Sequence, residues 1–215
     1  MNASEFTLPA SVVVHVIEDD ESSRIESFGL LRGAGYTVRV YTSGEEFLAN
    51  PPAEAGCLVL DVQLPGPSGF DLQEQLMTAE NPLPIVFLTG HRDVPKSVRA
   101  MKAGAIDVLM KPVDAPVLLD AVARAITRDV ENRAVRARQY TARDRYLRLT
   151  PREREVFAHL ISGQLNKQVG HDLGISERTT KIHRRNVLHK MQADSIADLV
   201  RIASDLRINP VGKVR

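Results

Sequence analysis

The sequence predicts an α/β domain built on a parallel sheet, followed by a small all-helical domain. Two observations indicate the first domain: short apolar runs alternate with helix-like stretches, and polar residues directly follow the runs. A series of helix start and stop signals in the last third of the chain indicates the second. The 215 residues are sufficient for two domains.

Four apolar runs are predicted to be strands buried on both faces of a sheet. They cover residues 12–17, 57–60, 84–88 and, with the weakest pattern, 106–110. Helix-like stretches separate them at residues 23–34, 43–49, 69–80 and 94–103, and another begins at 115. Strands that alternate with helices favour right-handed crossovers and one parallel sheet covered by helices on both faces.

Polar side chains follow each run. Glu18 and Asp19 follow the first, Asp61 the second, Thr89 the third and Lys111 the fourth. Because the carboxyl ends of parallel strands meet at one edge of a sheet, we expect these side chains to converge. Three carboxylates favour Mg²⁺ over zinc, and a lysine and a hydroxyl beside them can bind an anion. One strand-end aspartate is often only a turn former, whereas the ordered set indicates a site.

The charges are segregated along the chain, although the net charge is only +1. Residues 1–123 hold 17 acidic and 8 basic side chains, whereas residues 124–149 and 150–215 each carry a net charge of +5. The basic part suits a polyanion such as DNA, with an ordinary solvated surface as the alternative. No membrane span or signal peptide is indicated, so we expect a cytoplasmic protein without a membrane partner.

Apolar residues recur at helical spacing from about residue 115 to 130 and then give way to arginines. This pattern predicts a helix that leaves the first domain and becomes a basic linker. A dimer contact and a solvated helix end are both compatible with it.

From Leu149 onward, the chain is predicted to form four short helices. Thr150 and Pro151 supply an N-cap and a first-turn proline, and Gly163 ends this first helix. The second covers residues 166–173.

Gly174 stops that second helix, and Ser176 caps a third helix over 177–191 that is rich in basic residues. Two helices joined by a glycine-containing turn are typical of helix-turn-helix DNA binding.

The motifs of both parts resemble those of response regulators. Four segments resemble the receiver domain in order and spacing: VIEDDE at 16–21, LDVQLPGPSG at 60–69, LTGH at 88–91 and MKP at 110–112. Three segments are similar to the LuxR-type helix-turn-helix: LTPRERE at 149–155, NK at 166–167 and ISERT at 175–179. TGHRDVP at 89–95 and AMKAGA at 100–105 are similar to the FixJ branch.

The resemblance implies a fold and a set of boundaries. The receiver domain would be a doubly wound, five-stranded parallel sheet of the flavodoxin-like type, and a four-helix domain would follow it. The expected division is an N-terminal tail at 1–11, a receiver domain at 12–126, a helical basic linker at 127–148, a LuxR-type domain at 149–208 and a C-terminal tail at 209–215.

The resemblance also implies roles at the strand ends. Asp61 would accept a phosphoryl group from a histidine kinase. Glu18 and Asp19 would hold Mg²⁺, or alternatively Mn²⁺, together with the Asp61 carboxylate and the backbone carbonyl of Gln63.

Two further residues would face the phosphoryl group. Lys111 would pair with one phosphoryl oxygen, and the hydroxyl of Thr89 would turn toward another. Val108 stands where the family usually has an aromatic switch ring, so any switch must act through Thr89, Lys111 and the strand itself. Pro112 occupies a family position that is often cis.

In the helical domain, the resemblance makes the third helix the recognition helix. Lys181, Ile182 and Arg185 would point to base edges. The residues expected near phosphates are Asn166, Lys167, Arg178, Thr179, His183, Arg184, Asn186 and Lys190. Gly170 and Thr180 depart from the usual Ala and Val, and Gly170 is expected to cost up to about 1 kcal/mol of helix stability.

The function implied is phosphorylation-controlled, sequence-specific DNA binding and transcription regulation, not enzyme catalysis. The expected partners are a cognate histidine kinase, promoter DNA, a second copy after phosphorylation and, as a further candidate, RNA polymerase. A Mg²⁺-dependent phosphatase of the haloacid dehalogenase type is one alternative, but it usually needs a second Asp where Gln63 stands. A protein-binding module is another, and the basic third helix argues against it.

Overall fold

The computed structural model describes residues 12–78, 82–90 and 94–211. The chain divides into two compact units, Met1–Arg133 and Ala134–Arg215. The expected N-terminal tail at 1–11 lies outside the described residues, as does most of the C-terminal tail.

The first unit contains a sheet of five parallel strands in the order β2-β1-β3-β4-β5. The strands are β1 (Val13–Ile17), β2 (Thr37–Tyr41), β3 (Gly56–Asp61), β4 (Ile85–Thr89) and β5 (Asp107–Met110). The helices that alternate with them are α1 (Glu21–Gly33), α2 (Gly44–Ala49), α3 (Gly69–Leu76), α4 (Val94–Lys102) and α5 (Ala115–Leu147). The predicted α/β fold with a parallel sheet is confirmed.

Two apolar clusters cover the two faces of the sheet. Val14 and Val16 of β1 pack in one cluster with residues of α1 and α5, whereas Ile17 packs in the other with Phe47 of α2 and Leu72 of α3. A strand that is buried on both faces needs apolar residues in succession rather than in alternation. This explains the continuous apolar runs in the sequence.

The apolar pattern did not predict β2. This strand lies at the edge of the sheet, and its five residues are exposed or only partly buried. An edge strand buries less of its surface, so no continuous apolar run marks it. The helix predicted at 69–80 ends at Leu76, and residues 79–81 lie outside the described part.

In its described part, residues 134–211, the second unit contains the end of α5 and four further helices. These are α6 (Pro151–Ile161), α7 (Asn166–Asp172), α8 (Glu177–Met191) and α9 (Ile196–Asp205). The Thr150 hydroxyl accepts a hydrogen bond from the Glu153 backbone N–H at 3.2 Å, and Ser176 accepts one from Thr179 at 3.1 Å. The predicted four-helix domain and its two caps are therefore present.

The linker expected at 127–148 is divided between the two units. On the first, the buried Asp129 carboxylate accepts hydrogen bonds from the Gly56 backbone at 2.9 Å and from Arg133 at 2.6 Å. On the second, Ala142 is buried and the Tyr146 ring packs against Phe157. Both ends of the expected linker therefore belong to packed structure. Among the described helices, including the 33-residue α5, none has the length and hydropathy that crossing a bilayer requires.

His15 of β1 supplies a pH-sensitive element of the first core. Its imidazole is buried beside Tyr41 and Phe47, and its Nδ1 lies 3.1 Å from the Tyr41 hydroxyl. Burial lowers the pKa of His15 from 6.5 to about 4, and Arg39 adds to this, whereas Glu54 opposes it.

Acid should therefore destabilise the first unit through His15. Between pH 6.5 and 4 the unfolded chain binds a proton that the folded chain does not, so the free energy of unfolding falls as the pH falls. We expect a loss of about 2 kcal/mol between pH 7 and pH 5 beyond that of a His15→Leu variant, measured by urea denaturation of the full chain. Equal losses in both proteins would contradict this.

Candidate functional site

Three carboxylates meet at the carboxyl edge of the sheet. Glu18 and Asp19 directly follow β1, and Asp61 is the last residue of the neighbouring β3. One oxygen of each lies within 4.8 Å of the others. The parallel register, which pairs Ile17 with Leu60, brings these residues together.

Lys111 joins two of these carboxylates. Its ammonium donates hydrogen bonds to Glu18 Oε2 at 2.5 Å and to Asp61 Oδ2 at 2.6 Å. It directly follows β5, and its backbone N–H donates to the Thr89 carbonyl at 2.8 Å. The Lys111–Pro112 peptide bond is cis. The structure thus brings the lysine to the acidic cluster expected from the strand ends.

Gln63 and Thr89 lie beside the same edge. The Gln63 backbone N–H donates to Asp61 Oδ1 at 3.0 Å and so orients the aspartate. Thr89 is the buried last residue of β4 and is paired with Met110 of β5. Val108 is partly buried against the core on the α2 to α4 side of the sheet.

Among the residues that the structure describes, the cluster holds more negative than positive charge. Three carboxylates face one ammonium, and burial raises the pKa of Glu18 from 4.5 to about 7, although the bond from Lys111 opposes this. Burial alone would lower the pKa of Lys111, but Asp61 and Glu18 hold it above its usual value. Among the described residues, Glu18 Oε1 has no hydrogen-bond partner. The oxygen donor set and its excess negative charge fit a hard divalent cation.

Asp20 is adjacent to the cluster but has a different role. Its carboxylate accepts hydrogen bonds from the Ser22 hydroxyl at 2.6 Å and from the Ser23 backbone at 2.8 Å, which makes it the N-cap of α1. The Ser22 and Ser23 donors lower the pKa of Asp20 to about 2. Asp20 is therefore a charged capping residue and a suitable control for its neighbours.

The second unit presents a basic helix. On α8, Lys181, Ile182 and Arg185 are exposed, as expected of residues that reach base edges. Lys181 also forms an ion pair with Glu177 on the same helix at 2.9 Å. Exposure leaves these side chains accessible to a nucleic acid.

The residues expected near phosphates fall into three groups. Lys167 and Arg178 are exposed, whereas His183 and Asn186 are half-buried. Other members contact the protein itself: Arg184 donates to Asn166 at 3.4 Å, the Thr179 hydroxyl lies 2.8 Å from that of Ser176, and Lys190 donates to Glu153 at 2.6 Å.

Two family models match these two units. The model for "Response regulator receiver domain" matches residues 14–123, and the model for "Bacterial regulatory proteins, luxR family" matches residues 147–203. The chain belongs to the response regulator family. It is a transcriptional response regulator with a receiver domain and a LuxR-type DNA-binding domain.

Curated relatives of this response regulator match it along most of their length. Nodulation protein W of Bradyrhizobium diazoefficiens is 43% identical over 198 residues, which are 92% of this chain and 87% of that protein. The transcriptional regulatory protein FixJ of Azorhizobium caulinodans is 41% identical, over 91% of this chain and 93% of its own. The match to the FixJ branch is confirmed.

Solved structures agree with this assignment. The response regulator StyR is 42% identical and superposes with a TM-score of 0.78 over 91% of this chain and 99% of its own. Full-length FixJ from B. japonicum is 38% identical, with a TM-score of 0.55 over 91% of this chain and 97% of its own.

Two residues that sequence reasoning missed support the receiver site of this response regulator. Arg24 donates to the backbone carbonyls of Glu18 at 2.9 Å and Asp19 at 3.0 Å, so it holds the loop after β1. A Cβ at Gly69 would lie only 2.3 Å from the Asp61 carbonyl. The sequence did contain a signal for Arg24, because it is a basic residue one turn into α1, close to the acidic residues after β1.

The two unusual residues of the helix-turn-helix are neighbours. A Cβ at Gly170 would lie 2.8 Å from the Ile175 carbonyl and 3.2 Å from the Thr180 hydroxyl. The buried Thr180 hydroxyl donates to the Ser176 carbonyl at 3.2 Å. Gly170 therefore permits a close approach of α7 to α8, which accounts for a residue whose helix propensity is poor.

Proposed function

We propose that a histidine kinase phosphorylates this response regulator on Asp61 and that phosphorylation controls promoter binding by α8. The observation that carries the proposal is the bond from Lys111 to both Glu18 and Asp61 at the carboxyl edge of the sheet. This arrangement supplies a nucleophilic oxygen and a cation for the transferred group at the same position.

The acidic cluster is the proposed metal site. Glu18, Asp19, Asp61 and the Gln63 carbonyl would hold Mg²⁺, and the same oxygen ligands would accept Mn²⁺. Two features support this proposal: the excess of negative charge and the unpartnered Glu18 Oε1 among the described residues. When bound, the ion offsets charge on the phosphoryl group.

The transfer step follows from the positions of the side chains. A carboxylate oxygen of Asp61 forms a bond to phosphorus while the bond from phosphorus to the kinase histidine nitrogen breaks. Lys111, which stays protonated because its pKa is raised, exchanges its carboxylate contacts for a phosphoryl oxygen. The Thr89 hydroxyl would approach another oxygen of the same group. Gln63, which stands where a hydrolase needs its second aspartate, argues against a phosphatase.

Phosphorylation should depend on Asp61 and on the cation. With Mg²⁺ and a small acyl phosphate, intact-mass analysis of the full chain should show one phosphoryl group, absent in Asp61→Asn and absent when Mg²⁺ is chelated. Asp19→Asn should label poorly because it removes a metal ligand. The matched control Asp20→Asn should label like wild type, since that side chain caps α1. Equal labelling of wild type and Asp61→Asn would refute the assignment.

The proposed DNA contacts are exposed residues of α7 and α8. Lys181, Ile182 and Arg185 would read base edges, whereas Lys167 and Arg178 would bind phosphates. Binding to promoter DNA would require a cytoplasmic protein, and RNA polymerase is a further candidate partner. Family membership supports a regulator rather than an enzyme.

Substitutions on α7 and α8 should separate these roles. In selections from a random duplex library, Lys181→Ala and Arg185→Ala should each change the preferred sequence. The binding free energy that discriminates between bases at the affected position should fall by about 1–3 kcal/mol. Lys167→Ala should weaken binding to all sequences alike. It should also lower the salt slope, which is the slope of log affinity against log salt concentration, by about 1. If all three variants weaken binding without a change of preference, the proposed register of α8 is wrong.

We propose that phosphorylation also promotes a homodimer through the face formed by α4, β5 and the start of α5. Val94, Val98, Met101, Met110 and Val117 on this face are between 40 and 68% exposed. Val108, at the centre of β5, has no ring to turn inward when Thr89 moves. Because the Val108 side chain is stiff, it offers few contacts that differ between the inactive and the active state of this face. Phosphorylation should therefore shift the equilibrium toward the dimer only slightly.

Val108→Tyr should strengthen the coupling between phosphorylation and dimerisation. By sedimentation, wild type should dimerise weakly to moderately on phosphorylation, and the tyrosine variant more strongly, because the ring adds an interaction that differs between the states. A wild-type protein that is fully dimeric without phosphate would contradict the proposal. So would a tyrosine variant that dimerises less.

A further inference from the structure

The last turn of α8 is tied to α6 by a partly buried ion pair, in which the Lys190 side chain is 36% exposed. Lys190 donates to Glu153 Oε2 at 2.6 Å, and the Glu153 side chain is only 5% exposed. The same oxygen accepts the Thr150 backbone N–H at 2.8 Å. One carboxylate oxygen therefore joins the N-terminus of α6 to the C-terminal turn of α8.

This carboxylate is well satisfied where it lies. Burial alone would raise the pKa of Glu153, but the bonds from Lys190 and Thr150 keep it below its usual value. A buried charge that loses its partner destabilises the structure strongly. The Glu153 carboxylate therefore needs Lys190 as its charged partner whether or not DNA is bound.

The phase of α8 separates Lys190 from the exposed basic residues. Lys181 and Arg185 are one turn apart and share a face. Lys190 is nine residues after Lys181, which at about 100° per residue places it about 180° away around the helix. The ion pair and the helical phase are independent observations, and both direct Lys190 away from the face proposed for DNA.

We propose that Glu153 is a positioning residue for DNA recognition, and that Lys190 acts through Glu153 rather than by contacting a phosphate. The inference rests on the proposed role of α8 as the recognition helix. The Thr150 cap holds Glu153 at the start of α6, and Val156 and Phe157 of α6 share a core with Val187 of α8. The ion pair adds a directional contact to this apolar packing and so sets the position at which α8 presents Lys181 and Arg185.

Removing the charge of Glu153 should distinguish a positioning role from a purely electrostatic effect. Glu153→Gln removes a negative charge from a unit that binds a polyanion, so electrostatics alone should strengthen DNA binding. A positioning role predicts the opposite, because α8 loses its alignment. Glu155→Gln is the matched control: it makes the same charge change two residues away, at a 52% exposed side chain that pairs with Arg152.

The experiment uses the phosphorylated full chain and a duplex selected by wild type, with the dissociation constant measured at several salt concentrations. Glu153→Gln and Lys190→Gln should each weaken binding about tenfold without changing the salt slope, and the double variant should bind no more weakly than either one. Lys190→Arg, which preserves the pair, should bind like wild type. Glu155→Gln should bind at least as well as wild type, and Lys167→Gln should lower the salt slope by about one.

Other outcomes identify which idea fails. If Lys190→Gln lowers the salt slope as Lys167→Gln does, Lys190 contacts a phosphate. If Glu153→Gln binds DNA more tightly than wild type, Glu153 does not position α8. Either result overturns the inference, while DNA binding by α8 stands. If the wild-type chain binds no duplex, the proposed function itself fails. Should Glu153→Gln prevent folding of the second unit, which circular dichroism would show, the salt slope of Lys190→Gln decides alone.

Discussion

The bond network of Lys111 with Glu18 and Asp61 is the constraint on which the receiver unit depends. It joins residues separated by 93 and 50 positions in the chain. Parallel strands bring the carboxylates to one edge, and their mutual repulsion must be offset there. A single lysine does so only in part, which leaves net negative charge that a divalent cation can offset.

The second unit uses the same physical device for a different purpose. Glu153 is also a buried carboxylate bonded to one lysine, but its bonded oxygen accepts from two donors, Lys190 and Thr150. Glu18 instead keeps one oxygen without a partner among the described residues. A satisfied pair of this kind orients helices, whereas an unsatisfied cluster has capacity to bind a ligand. This difference separates a structural carboxylate from one that can bind a ligand.

The arginine-rich segment between the two motifs is less independent than its composition suggests. Arg133 donates to Asp129 and to the backbone carbonyls of Ala53 and Glu54 at the end of the first unit. Within the second unit, Arg145 donates to the Met191 carbonyl at 3.5 Å, at the end of α8. Composition alone assigns Arg133 and Arg145 to a solvated basic linker, but both hold packed elements. The segment can therefore influence α8, which Arg145 contacts.

By itself, the sequence determined the buried strands, the helix caps and the convergence of the strand-end residues. These features follow from local patterns: continuous apolar runs, Thr150 and Ser176 before helices, and polar residues where runs stop. Only the tertiary structure decided the edge strand β2, the partner of Lys190 and the proximity of Gly170 to Thr180. The reason is physical: exposure at a sheet edge and contacts between side chains on different helices depend on how elements pack, and a local pattern does not record this.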